Sequence, residues 1–283
     1  MKKLTPLATP PSAHERYLEI RTAKHHIVRN VLIANHAHIE AQFDVLDAAV
    51  KAGTLEDVDA CSDCKKISDE LRACYSSKTQ ALTKLKKKIL QAQPKRQLKY
   101  CPMCGVTRHS TFDHYLPAAE YPEFSVHAEN LVPCCALCNS TKDDYWKDGH
   151  GQRYFLHAYT DEIPDAQFLF VDLQEAEDGD AVGANFRLEK PGEVNAETWR
   201  LITSHFKRLK LLAQYDNLGG EEIAEVLGDC RDYSDEGGAR PRNFLRRMTT
   251  RARQVFGRNH WRVVLMSELA DHANFHDWLK AFD

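Results

Sequence analysis

The sequence predicts an α+β fold that is mainly helical, in three regions: a helical segment over 1–95, a compact cysteine-rich core over 96–150, and an α/β region over 151–283. Three observations carry this expectation. Apolar residues recur at helical intervals before residue 95. Two Cys-x-x-Cys pairs bracket residues 101–138. After residue 150, short β-prone runs alternate with Gly and Pro before helical spacing returns.

In the first region Ile20, Ile27, Val31 and Ala34 fall at roughly helical spacing, and Phe43, Leu46 and Val50 continue it until Gly53-Thr54. A third helix is expected from Leu55 or Cys64 through Leu71, Leu82, Leu85 and Leu90 to Pro94, giving a helical hairpin or small bundle separate from the core. Cys61, Cys64 and Cys74 lack a fourth ligand at matched spacing and fit helix positions. His25, His26, His36 and His38 read as helix-surface residues. Lys84, Lys86, Lys87, Lys88, Lys95, Arg96 and Lys99 lead into the core, as a solvated face or as a run that steers a nucleic-acid backbone.

The core opens on Cys101-Pro-Met-Cys104 and closes on Cys135-Ala-Leu-Cys138. Four thiolates at this local spacing fit a closed, tetrahedral structural zinc site. Cys134 falls off that spacing and reads as a core filler. The 30 residues between Cys104 and Cys135 exceed a plain zinc ribbon and carry Asp113-His114 and Asn130. Residues 110–116 are strand-like and end at Pro117, residues 130–135 form a second short apolar run, and a helix is expected to start near Cys138-Asn139.

These residues resemble the HNH endonucleases, whose ββα-metal core pairs a strand ending in Asp-His with a loop Asn and a helix-borne Asn or His. The likeness covers about 45 residues, in which Asp113-His114, Asn130 and Asn139 keep the family's order, and the zinc-stapled subgroup has its knuckles at the positions seen here. It implies a general base at His114, a single Mg²⁺ or Mn²⁺ held by Asp113 and Asn139, and a supporting role for Asn130. The family often has His where this chain has Asn139; an amide oxygen favours a hard ion. Read on chemistry alone, a neutral imidazole suits proton abstraction from water near pH 7, and oxygen-ligated divalent ions suit phosphate charge. Lys142, three residues after Asn139, is expected on the same helix face, reaching a phosphate or standing in solvent.

Beyond the core, residues 154–159, 168–173 and 184–188 are expected to form a small antiparallel sheet, with an acidic Gly-Asp loop near 177–180. Asn195 is placed to cap a helix through Trp199, Ile202, Phe206, Leu209 and Leu212. Residues 239–262 contain eight arginines and no acid, which marks Arg246, Arg247 and Arg251 as nucleic-acid contacts or as a docking face for an acidic partner.

The net charge of −3 argues against broad nonspecific DNA affinity, so local patches must supply it. Nine cysteines, an odd number with four committed to metal, point to a reducing cytoplasm. No apolar run reaches membrane-spanning length, and no Gly-rich phosphate loop is present, so ATPase activity would come from a partner. Three functions compete: an HNH endonuclease cutting DNA, an RNA nuclease using the same site, and a noncatalytic zinc-stapled module binding nucleic acid or protein. By association, the resemblance places the first in bacterial antiphage defence or restriction, beside an ATPase or other defence-system protein.

Overall fold

A computed structural model of the chain describes residues 3–175 and 182–281, and its fold is α+β and mainly helical. The acidic loop expected near 177–180 lies outside the described residues. The chain divides into two compact units, one spanning 3–162 and the other beginning at Ile163.

The first unit starts with α1 (Ala13–Thr22), whose N-cap Ser12 accepts from the Glu15 N–H at 3.1 Å while Glu15 accepts from the Ser12 N–H at 2.6 Å. Next come α2 (His26–Ala34), α3 (His36–Ala52), the short α4 (Ser62–Lys65), α5 (Ser68–Ser76) and α6 (Gln80–Gln91). The expected third helix is therefore three, because Thr79 begins a new one by accepting from the Leu82 N–H. Lys24 is buried and donates to the carbonyls of Ala73 and Cys74 at 2.6 and 3.2 Å, which neutralises the carbonyl end of α5 and fixes that helix against the α1–α2 turn.

These helices are not separate from the core. Tyr17, Leu32, Ile39, Phe43, Leu71, Leu82, Leu85 and Ile89 share one apolar cluster with Val126, Ala128 and Leu131 from the insert between the cysteine pairs. Burying a side chain such as Phe43 contributes about 1.5–3 kcal/mol, so the insert borrows its stability from the helices. Strands β1 (Thr111–His114) and β2 (Leu131–Cys134) pair antiparallel, with Asp113 opposite Val132 and His114 opposite Leu131. Helix α7 (Ala136–Lys142) follows directly. Residues 154–159 form bends and a turn rather than the predicted strand: Phe155, Leu156 and Tyr159 are buried, but among the described residues no strand pairs with them.

A one-turn helix, Pro122–Phe124, buries Glu123, whose Oε1 accepts from the Cys61 N–H at 3.4 Å and whose Oε2 has no partner. Burial pushes this carboxyl from 4.5 up to about 7. The folded state thus keeps a proton that the unfolded chain releases above pH 4.5; the stability this proton confers is complete below that pH and is lost as pH rises through 7. Glu123→Gln is expected to stabilise the protein at pH 8 by up to about 3 kcal/mol and to leave it unchanged near pH 4. Thermal melting at both pH values checks this, and an unchanged Tm at pH 8 would show that Glu123 is ionised at no cost.

In the second unit β3 (Leu169–Glu175) and β4 (Val182–Leu188) form an antiparallel hairpin, joined by α8 (Ala196–Arg208), α9 (Leu211–Asp235), α10 (Pro241–Phe256), α11 (Trp261–Asp271) and α12 (Phe275–Ala281). Asn195 caps α8 by accepting from the Thr198 N–H at 2.8 Å. Leu169, Val171, Ala184 and Phe186 are buried on the hairpin, and a Cβ at Gly219 of α9 would lie 2.5 Å from the Ala184 Cβ, so glycine is what allows this helix to lie on the strand. Among the described residues no helix is long and apolar enough to cross a membrane.

Candidate metal and hydrolytic site

The four cysteines of the two knuckles converge from opposite ends of the insert. Cys101, Cys104, Cys135 and Cys138 are buried, with sulfurs all within 4.8 Å of one another. Tetrahedral thiolates at about 2.3 Å from a zinc ion lie about 3.8 Å apart; Sγ of Cys104 and Sγ of Cys135 are 3.9 Å apart. Local geometry prepares each pair. Gly105, at φ +71°, turns the chain back after Cys104, and the Val106 N–H points at the Cys104 sulfur at 3.4 Å. Cys135 is the N-cap of α7 and receives the Cys138 N–H, while the Cys135 N–H points at Cys101. Backbone donors aimed at sulfur stabilise thiolate charge, so this group could hold a metal ion such as zinc. Cys134 is buried outside the sulfur cluster; Cys64 and Cys74 lie in helices as expected, whereas Cys61 caps α4 by accepting from the Cys64 N–H.

That closure places α7 against the end of β1, and a cleft of about 300 Å³ opens there. Asp113, His114 and Asn139 line it together with Ser125, Asp143, Asp144, Arg72 and Tyr75. The His114 Nε2 lies 2.9 Å from the Ser125 carbonyl oxygen. A carbonyl can only accept, so Nε2 carries the proton and Nδ1 is left with a free lone pair. Burial pushes the imidazole down to about 4, against the pull of the Ser125 carbonyl and with help from the charges of Lys142, Lys86 and Arg72, so it is neutral at pH 7. His114 can therefore accept a proton without first losing one.

Asp113 is buried. Its Oδ1 is 3.2 Å from Lys142 Nζ, whereas its Oδ2 is buried with no hydrogen-bond partner. Burial raises its proton affinity above that of an ordinary carboxylate, and the Lys142 ammonium opposes this only in part. An orphaned carboxylate oxygen and an amide side chain lining one cleft are donor types that fit a hard divalent cation. Asn139 is half-buried on α7, and its side chain makes no hydrogen bond among the described residues.

Asn130 lies outside the cleft. Its Oδ1 accepts from the Leu116 N–H at 2.7 Å, and its Nδ2 donates to the carbonyls of Leu116 and Phe124 at 3.0 and 3.1 Å. It therefore clamps the loop after β1 onto the segment that carries Ser125.

The expected phosphate contact of Lys142 is not available. Lys142 is fully buried, and besides meeting Asp113 it donates to the His114 carbonyl at 2.8 Å. It follows Cys138 by one helical turn and so shares that residue's inward face. Removing it would leave a buried carboxylate unpaired, which typically costs 3–5 kcal/mol.

No family model matches the chain. It is similar to Protein ea31 of Escherichia phage lambda, at 30% identity over 130 residues. That match covers 45% of this chain and 43% of the relative, so the chain spans less than half of the relative's length. No solved structure matches the fold.

In the second unit the arginine-rich segment is partly neutralised. Arg246 pairs with Asp271 at 2.8 Å, Arg258 with Asp165 at 2.8 Å and Arg262 with Glu222 at 2.5 Å, while Arg242 lies over the Phe275 ring. Arg246 is thus not the free cation expected of it. Arg247, Arg251 and Arg253 are exposed on α10 and make no ion pair among the described residues.

Proposed function

We propose that this protein is a metal-dependent endonuclease of the HNH type that hydrolyses DNA phosphodiester bonds. One observation carries the reading: a neutral imidazole with its Nε2 proton committed to a carbonyl shares a cleft with the unpartnered Asp113 oxygen and the Asn139 amide. The Nδ1 of His114 takes the proton of the attacking water. The Ser125 carbonyl holds the ring in the tautomer that permits this and steadies the imidazolium that forms.

Asp113 and Asn139 are the residues that would hold Mg²⁺ or Mn²⁺. Such an ion, when bound, supplies charge stabilisation for the scissile phosphate and the leaving oxygen. Lys142 partly offsets the cost of burying the Asp113 charge, and Asn130 fixes the loop that brings Ser125 to His114. The four cysteines hold a structural zinc that keeps α7 in register with β1. DNA as substrate, and a role in antiphage defence or restriction beside an ATPase or other defence-system protein, rest on the HNH resemblance.

Incubating purified protein with supercoiled plasmid and with RNA, in Mg²⁺, Mn²⁺ or EDTA, tests the reading. Metal-dependent nicking or linearisation of the plasmid, blocked by EDTA, is the expected result. Cleavage of RNA alone would move the substrate class, and cleavage of neither would favour the noncatalytic zinc-stapled module.

Exposed Arg247 and Arg251 are the better candidates for nucleic-acid contact on α10. Replacing both with Ala is expected to weaken binding and to reduce the slope of log affinity against log salt by about 2. Arg246→Ala, which frees Asp271, should change the slope less. Fluorescence anisotropy over a salt series checks this; an unchanged slope in the double variant would make the helix a protein-docking face.

A further inference from the structure

We propose that Arg72, on helix α5 of the N-terminal helices, is the phosphate-binding side chain of this cleft, gripping a nonbridging oxygen of the scissile phosphodiester beside His114. The inference rests on the endonuclease reading for its substrate. It places an essential substrate contact outside the 45-residue core.

Four observations support it. First, among the described residues lining the cleft Arg72 is the one cation, and Asp113, Asp143 and Asp144 line it too. A phosphodiester entering among three carboxylates is repelled by each of them, and the Lys142 charge is buried against Asp113 and the His114 carbonyl. Second, Arg72 is exposed and has neither an ion pair nor a hydrogen bond among the described residues, so no carboxylate has to be displaced before its guanidinium meets phosphate. A guanidinium can offer two parallel N–H groups to two oxygens of one phosphate.

Third, the helix that carries Arg72 is packed against the imidazole. Tyr75, three residues on and on the same helix face, lies edge-on to His114 with ring centroids 4.4 Å apart, and its hydroxyl donates to the Phe112 carbonyl at 3.3 Å. Lys86 lies over the Tyr75 ring at 3.8 Å and keeps that ring in place from the other helix. Fourth, Lys24 ties α5 through hydrogen bonds to the carbonyls of Ala73 and Cys74, one and two residues beyond Arg72. A long side chain on an anchored helix can present its fork at little further cost in order.

The contact would strengthen as charge builds on the phosphate oxygens, so it belongs to the chemical step. Arg72→Ala is therefore expected to slow single-turnover cleavage at saturating enzyme by roughly 10²-fold or more, with the melting temperature, zinc content and metal dependence of wild type. Arg72→Lys should recover a minor part of the rate, since it restores charge without the fork. Added guanidinium ion should rescue Arg72→Ala and leave wild type unaffected. A rate within twofold of wild type, or no guanidinium rescue, overturns the proposal while the endonuclease reading stands.

A measurement independent of turnover separates the two ideas. On titration with a dinucleoside monophosphate, the ¹⁵Nε resonance of Arg72 should shift in wild type. If it shifts in a protein that cuts no nucleic acid, the phosphate contact is upheld and the nuclease reading fails. If it does not shift, Arg72 is not the phosphate ligand.

Discussion

His114→Ala is expected to lower the single-turnover rate of DNA cleavage by roughly 10²–10⁴-fold while leaving DNA affinity and zinc content close to those of wild type. A general base acts on the water only in the transition state, so its loss falls on the chemical step and not on binding. Among the described residues the side chain makes one hydrogen bond, to the Ser125 carbonyl, and one edge-on contact, with Tyr75, so truncation removes little that the fold depends on. Asp113→Ala should behave differently, because it removes the proposed cation ligand and also leaves the buried Lys142 ammonium without its carboxylate partner. Its activity should be partly recoverable with excess Mn²⁺, and its melting temperature should fall. Asn130→Ala should act through the loop it clamps, lowering both rate and stability. Cleavage measured over a Mn²⁺ titration for wild type and these variants separates the roles. If His114→Ala cuts as fast as wild type, the HNH assignment is wrong and a noncatalytic module is the better account.

Cys104→Ser is expected to lose the bound metal and most of the thermal stability of the unit spanning 3–162. Structural zinc sites in small domains contribute about 10–16 kcal/mol of apparent binding free energy, which equals or exceeds the typical net stability of a domain, about 5–15 kcal/mol. The consequence should reach beyond the knuckles. Val126, Ala128 and Leu131 of the insert belong to the same apolar cluster as Tyr17, Phe43 and Leu85, so loosening the insert exposes the helices it packs on. Elemental analysis should give one zinc per chain in wild type and none in the variant, with a lower and broader melting transition. Well-folded wild type without metal would remove the stapling role from the four cysteines.

How far the sequence could be read depended on whether a feature is local. The two Cys-x-x-Cys pairs were legible because each pair is set by three residues of chain, and the four sulfurs do converge. Asn195 as a cap and the runs 168–173 and 184–188, which overlap Leu169–Glu175 and Val182–Leu188, were legible for the same reason. Residues 154–159 misled because β-prone composition describes a half-buried environment, and a packed turn can provide one without a partner strand. Lys142 misled because helical spacing gives a shared stripe but not the side that faces inward; Cys138 and the burial of Asp113 decided that.

The sequence alone determined the pairing of four cysteines that could hold a metal ion, the chain order of Asp113, His114 and Asn139, and the mainly helical class, since these follow from residue type and short-range periodicity. The tertiary structure decided everything that depends on residues distant in the chain. Asp271, Asp165 and Glu222 reach arginines of a segment that contains no acid of its own. The Ser125 carbonyl fixes the tautomer of His114, and a backbone group carries no signature in the sequence. Arg72 and Tyr75 enter the cleft from a helix about forty residues before His114, brought there by the apolar cluster that the helices and the insert bury together. Apolar burial is non-directional and acts over any chain separation, so no local pattern could announce which helix would face the imidazole.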